Sequence, residues 1–141
     1  MAVKQTAAKP AGYSGTPLVQ KLGIKPGARV QIVSEPPDFR SVLGPLPEGV
    51  RPTARGELDF AMVFTKTTAD LARRFVALRD RLAPNGTLWV SWPKKTSGVA
   101  TELTENVVRD FGLAQGLVDV KVCAVDDTWS GLKFVRRLKD R

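Results

Sequence analysis

Histidine is absent from this 141-residue chain, and cysteine occurs once, as Cys123. Without histidine there is no imidazole triad, no His-ligated metal site and no imidazole pH switch. A single cysteine excludes an intrachain disulfide and any Cys-cluster zinc site, and it fits a reducing compartment. No apolar run approaches the roughly 20 residues needed to span a bilayer. Residues Met1–Gly12 also lack the apolar centre of a secretory signal. These absences set the expectation of a cytoplasmic protein with no membrane segment, no metal and no catalytic histidine.

Basic charge is what the chain has in excess: 22 Lys and Arg against 14 Asp and Glu, a net charge of +8. Such a balance invites nucleic acid as a partner. The cations are dispersed, however, in small groups: Arg73-Arg74, Arg79 with Arg81, Lys94-Lys95, and Arg136 to Arg141. Zinc-finger spacing, a basic region with heptads and an aromatic RNA-binding strand are all missing. Any nucleic-acid association is therefore expected to be weak and blind to sequence. At 43% hydrophobic and 26% charged residues, the composition is that of one ordinary globular domain. A domain of this length buries roughly 68–70% of its unfolded surface, so its core needs no covalent staple.

Residues 1–11 are small, polar and basic, and read as a disordered arm ahead of a single domain over 12–141. Thr16 and Pro17 suit the start of a short helix carrying Leu18, Val19 and Leu22, which Gly23 would end. Ala28–Ser34 reads as a strand, Pro36-Pro37-Asp38 as the start of a short helix, and Gly49–Thr53 as a short edge strand. Leu58–Thr65 is almost wholly apolar, as a central strand covered on both faces should be. From Thr68, Leu71, Phe75, Leu78 and Leu82 repeat at helical spacing. Pro84-Asn85-Gly86 ends that helix, and Thr87–Trp92 forms the next strand. A further helix is expected from Thr101, with Leu103, Val107, Val108 and Phe111. Val118–Val125 alternates, placing Val118, Val120, Val122 and Ala124 on one face. A turn over Asp126–Gly131 then leads to an antiparallel strand, Leu132–Arg137. The predicted fold is an α/β three-layer sandwich of Rossmann type, with a mostly parallel sheet of about six strands and an antiparallel C-terminal hairpin.

From Leu58-Asp59-Phe60 through Leu82-Ala83-Pro84-Asn85-Gly86-Thr87-Leu88 to the closing hairpin, the layout resembles the C-terminal half of a class I S-adenosylmethionine-dependent methyltransferase. The strings Gly12-Tyr13-Ser14-Gly15-Thr16-Pro17-Leu18, Lys21-Leu22-Gly23-Ile24, Trp89-Val90-Ser91-Trp92-Pro93-Lys94-Lys95 and Val118–Asp126, running on to Trp129-Ser130-Gly131-Leu132, resemble a bacterial family of small proteins of unknown function. The methyltransferase resemblance implies a glycine-rich loop after the first strand and an acidic residue for a ribose. Here that strand runs into Ser34-Glu35-Pro36-Pro37-Asp38 instead. Two prolines stand where glycines would, removing backbone donors and fixing φ. Glu35 could meet a ribose hydroxyl or simply be a solvated strand-end acid. No cofactor is assigned, and S-adenosylmethionine is not expected in the usual pose.

Ligands of open α/β sheets sit beyond the carboxyl ends of the parallel strands. That rule gathers Ser34–Asp38, Thr65–Thr68, Ser91–Lys95, Asp126–Gly131 and Gly12–Pro17 at one rim. Candidate ligand-binding residues there are Tyr13, Ser14, Gly15, Thr16, Trp92, Lys94, Lys95, Asp126 and Trp129. The helix start at Thr16, with Ser14 and Gly15 beside it and Lys94 and Lys95 opposite, would make an anion pocket; otherwise these are ordinary capping and solvated lysines. Tyr13, Trp92 and Trp129 could stack a planar ligand, or the two tryptophans could close the core. Asp126 and Asp127 read as a carboxylate pair for acid–base work or weak divalent binding, or as a turn that opens with Asp. Cys123 reads as a buried, inert thiol. Two functions stay open: a non-catalytic binding or regulatory domain for an anionic small molecule or protein partner, and a divergent methyltransferase or other nucleotide-cofactor enzyme.

Overall fold

The computed structural model describes residues 16–141. The expected arm over 1–11, and Tyr13, Ser14 and Gly15, lie outside the described residues. In chain order the elements are α1 (Leu18–Leu22), β1 (Arg29–Val33), α2 (Phe39–Leu43), β2 (Arg51–Pro52), β3 (Leu58–Phe64), α3 (Thr68–Arg79), β4 (Leu82–Pro93), α4 (Glu105–Ala114), β5 (Leu117–Ala124) and β6 (Trp129–Arg136). The strands form one six-stranded sheet ordered β2-β1-β3-β4-β6-β5. Pairings β2–β1, β1–β3 and β3–β4 are parallel, while β4–β6 and β6–β5 are antiparallel.

Each face of the sheet carries its own core. On one, Leu18, Val19 and Leu22 of α1 and Phe39 and Leu43 of α2 pack on Val30, Phe60, Met62, Phe64 and Trp89. On the other, Leu71, Phe75 and Leu78 of α3 and Val108 of α4 pack on Ala61, Val63, Leu88, Val90, Leu132 and Phe134. Apolar side chains alternate between these cores along β3, so a strand with no polar alternation sits at the centre. Each fully buried Leu or Phe is worth roughly 1.5–3 kcal/mol. The two cores therefore hold the three layers together. Trp89, fully buried, donates its Nε1–H to the Leu22 carbonyl at 2.8 Å, tying α1 to the middle of the sheet.

Several boundaries differ from the sequence expectation, each for a local reason. Pro17, not Thr16, is the N-cap of α1, because its ψ of 144° is extended and its carbonyl accepts the first helical bonds from Gln20 and Lys21. Thr67, not Thr68, caps α3, accepting from the Asp70 N–H at 3.1 Å. Thr104, not Thr101, caps α4 through the Val107 N–H. Thr101 instead donates to the Lys66 carbonyl and accepts from the Leu103 N–H, which leaves Leu103 buried just ahead of the helix.

Strand β4 begins at Leu82, and Pro84-Asn85-Gly86 is an irregularity within it rather than a stop. A Cβ at Gly86 would lie 2.8 Å from the Leu58 carbonyl oxygen, so only glycine lets the two strands close there. Trp129 is the first residue of β6, paired with Pro93, and not part of the turn. The predicted single face of β5 is also overturned. A bulge between Asp119 and Lys121 sets Val118 opposite Val135 but Val122 opposite Leu132, on the other face. Val120 and Val122 are 54% and 49% exposed as a result.

Candidate functional site

Strand β1 feeds α2 on one layer, and β3 feeds α3 on the other. Chains leaving adjacent parallel strands in opposite directions open a crevice between their carboxyl ends. Here that crevice is a cleft of about 450 Å³. Ser34, Pro36 and Pro37 form its wall after β1, and Phe64, Thr65, Lys66 and Thr67 its wall after β3. Asp70 and Arg74 project from α3, and Trp129 closes the side toward β6. Ser34 has φ 61°, the left-handed region, and is the one non-glycine residue to do so among the described residues. That turn carries the chain sharply away from β1 into the two prolines.

Thr65 and Asp70 form the polar floor. Thr65 is 3% exposed and donates its hydroxyl to Asp70 Oδ2 at 2.7 Å. Asp70 Oδ1 accepts from Arg73 at 2.7 Å and from Arg74 Nε at 3.2 Å. Burial pushes the Asp70 pKa up, but the Thr65 hydroxyl and the two guanidinium groups outweigh it and hold the carboxyl below its ordinary value. The group is thus a fixed anion that organises two arginines, and not a proton carrier near neutrality. The start of α3 is occupied as well. Glu102 Oε1 accepts from the Thr68 N–H at 2.8 Å and from its hydroxyl at 3.1 Å. Those bonds lower the Glu102 pKa and place an internal carboxylate where the helix dipole favours an anion.

The aromatic wall is built from two layers of side chains. Trp129 meets Phe64 edge-on at 5.1 Å between ring centroids, and Phe64 meets Phe39 at 4.9 Å. Trp129 is half-buried, so part of its ring faces the cleft. Trp92 is not its partner. It is 5% exposed and belongs to the core beneath α3 and α4, on the other face of the sheet. An indole so enclosed presents no open ring for stacking.

Apart from Trp129, the described sequence candidates do not line the cleft. The Asp126 carboxylate accepts from the Thr128 and Trp129 N–H groups, both at 2.8 Å, which makes the turn that positions Trp129. Asp127 is exposed. Lys94 is half-buried, and its N–H donates to the Thr128 carbonyl at 2.7 Å, while Lys95 is exposed at the start of a 3-10 turn. Lys94, Asp126 and Trp129 therefore share the rim, and Trp129 alone of them lines the cleft. Thr16 is exposed, and α1 is only five residues long. Glu35 is engaged by Arg40, which donates to both of its carboxylate oxygens at 2.7 and 3.0 Å. Cys123 is half-buried, and burial raises its pKa, which keeps it a thiol. Among the described residues no cluster of three or more His, Cys, Asp or Glu side chains is placed to hold a metal ion.

Sequence reasoning gathered Lys66 at the rim within Thr65–Thr68 without naming it as a candidate, and it missed Phe64, Asp70 and Arg74. The spacing of Asp70 and Arg74, an acid and a base four apart at a helix start, was the available signal. It reads equally well as a solvated helix face.

No family model matches the chain, and no curated protein matches it. Solved structures do. A ribosomal protein L11 methylase from Lactobacillus delbrueckii subsp. bulgaricus aligns over 85% of this chain and 75% of its own, with TM-score 0.53 at 11% identity. A methyltransferase candidate from Thermoplasma acidophilum aligns over 82% and 71%, with TM-score 0.50 at 10% identity. The fold is methyltransferase-like. Within that architecture the cleft occupies the switch point of the sheet. No described helix is long and apolar enough to cross a membrane.

Proposed function

We propose that this chain is a ligand-binding domain on a methyltransferase-like scaffold, and that the switch-point cleft receives a small molecule combining a planar ring with an anionic group. The observation that carries this reading is the meeting, in one crevice, of the half-buried Trp129 ring, backed edge-on by the buried Phe64, with the cations Lys66 and Arg74. A ring stacks or packs edgewise on such a wall, and an anion pairs with such cations. Lys94 and Lys95 extend the cationic rim beyond the cleft in this reading. Asp70, the carboxylate of the cleft, is saturated by its donors, which suits binding more than proton transfer.

A divergent methyltransferase is the second reading, favoured by the likeness of fold. Against the usual cofactor pose stand Pro36 and Pro37, which line the cleft and offer no N–H. Isothermal titration with S-adenosylmethionine, AMP, ATP and an acyl-CoA separates the two. Binding of a nucleotide lacking the sulfonium, lost in Trp129→Ala, supports the binding domain. Micromolar S-adenosylmethionine binding with methyl transfer overturns it in favour of the enzyme. If none of the four binds at millimolar concentration, the proposed use of the cleft is wrong.

A further inference from the structure

The opposite rim of the sheet carries a second cavity, at the amino-terminal ends of β1, β3 and β4. Its volume is about 430 Å³. Lys25, Asp59, Asn85, Thr87 and Lys133 supply its polar lining. Lys133 stands within β6, level with Trp89 of β4 and Lys121 of β5. It is half-buried, and a Cβ placed on Gly23 would lie 3.5 Å from its ammonium, so that charge sits against the end of α1.

Nothing offsets this cation among the described residues. Burial lowers the Lys133 pKa, and the ammonium groups of Lys121 and Lys25 lower it further. Asp59, the carboxylate of the cavity, is already consumed. It accepts from the Arg29 N–H at 2.9 Å, from Arg29 Nε at 2.9 Å and from a terminal guanidinium nitrogen at 2.8 Å. Thr87 adds a second unsatisfied group: its Oγ1 is the one buried side-chain polar atom without a hydrogen-bond partner among the described residues. A half-buried ammonium and an orphaned hydroxyl both cost free energy unless something pairs with them.

We propose that this cavity is a binding site for a phosphate monoester, its dianionic head held by Lys133 and Lys25. Two ammonium groups suit a doubly charged oxyanion, and lysine binds phosphate as a point charge. The volume decides between free phosphate and its ester. At about 430 Å³ the cavity is far larger than a phosphate ion and falls within the roughly 300–1,000 Å³ typical of small-molecule sites. The excess is bounded by Pro26 and Ala28, and Pro26, which is exposed, would face the organic part of the ester.

Thermal denaturation and isothermal titration with orthophosphate and with glycerol 3-phosphate, against sodium chloride of equal ionic strength, test the proposal. Both phosphates should raise Tm beyond the chloride control, the ester binding more tightly. Lys133→Met and Lys25→Ala should each weaken the ester at least tenfold, and Lys139→Ala should not. Unliganded Lys133→Met should melt no lower than the parent, since it removes an unpaired half-buried charge. If it fails to fold, Lys25→Ala decides. Equal response to phosphate and chloride overturns the site, as does unchanged ester affinity in the lysine variants. Orthophosphate binding as tightly as the ester overturns the ester assignment.

Discussion

Gly112 faces the ring of Phe134 from inside α4. A Cβ at that position would lie 2.1 Å from Phe134 Cε1 and 2.5 Å from Cζ, more than an ångström inside ordinary contact. Glycine here is a packing requirement, because helix propensity argues the other way: alanine is favoured over glycine by roughly 0.8–1.0 kcal/mol in a helix interior. Phe134 has little room to retreat, being fully buried and edge-packed on Phe75 at 5.4 Å between centroids. Overpacking of this kind costs about 1–3 kcal/mol. Gly112→Ala should therefore lose up to roughly 2 kcal/mol net, or up to about 8 °C in Tm for a domain of this size. In a Phe134→Leu background the same substitution should be neutral or stabilising, because the ring that obstructs it has gone. Urea denaturation of the four proteins of this cycle measures the coupling. A higher Tm for Gly112→Ala alone, or the same cost in both backgrounds, would refute the packing argument.

Three further outcomes follow from particular groups. Arg29 holds the Asp59 carboxyl down to about 2, so its stabilising contribution is complete above the unfolded carboxylate range and is lost as pH falls from roughly 4 toward 2. Because the pair is partly exposed, Asp59→Asn should remove no more than about 1 kcal/mol, measured as the loss of that acid limb in a stability–pH curve. Thr65→Val removes a buried donor to a carboxylate, a bond worth roughly 1.5–3 kcal/mol, and should raise the Asp70 pKa as read by carboxyl NMR. Duplex DNA should bind weakly and without sequence preference, losing about 0.9 log units of affinity per log unit of salt for each phosphate neutralised; a nanomolar, sequence-selective complex at 200 mM salt would contradict the dispersed-charge reading.

The sequence by itself determined the strand and helix order, the parallel centre and the closing hairpin. These rest on local physics: unbroken apolar runs, helical repeats, and turns built from proline, glycine and aspartate. Of the rim segments it named, Ser34–Asp38, Thr65–Thr68 and Asp126–Gly131 each contribute a residue to the cleft, since carboxyl ends of parallel strands follow from strand order, while Gly12–Gly15 lies outside the described residues. Cap positions were off by one to three residues because adjacent residues compete for each helix start: Pro17 takes the place of Thr16, Thr67 that of Thr68, and Thr101 found a partner in the Lys66 carbonyl. Only the tertiary structure could assign side chains to faces. A single bulged residue in β5 moved Val122 to the opposite side from Val118, which no count of alternation reveals. The same holds for the tryptophans. Trp92 and Trp129 both lie at the same rim, yet register turns one into the core and leaves the other lining the cleft. The second cavity joins Lys25, Thr87 and Lys133 across more than a hundred residues of chain, and proximity of that kind is decided by packing alone.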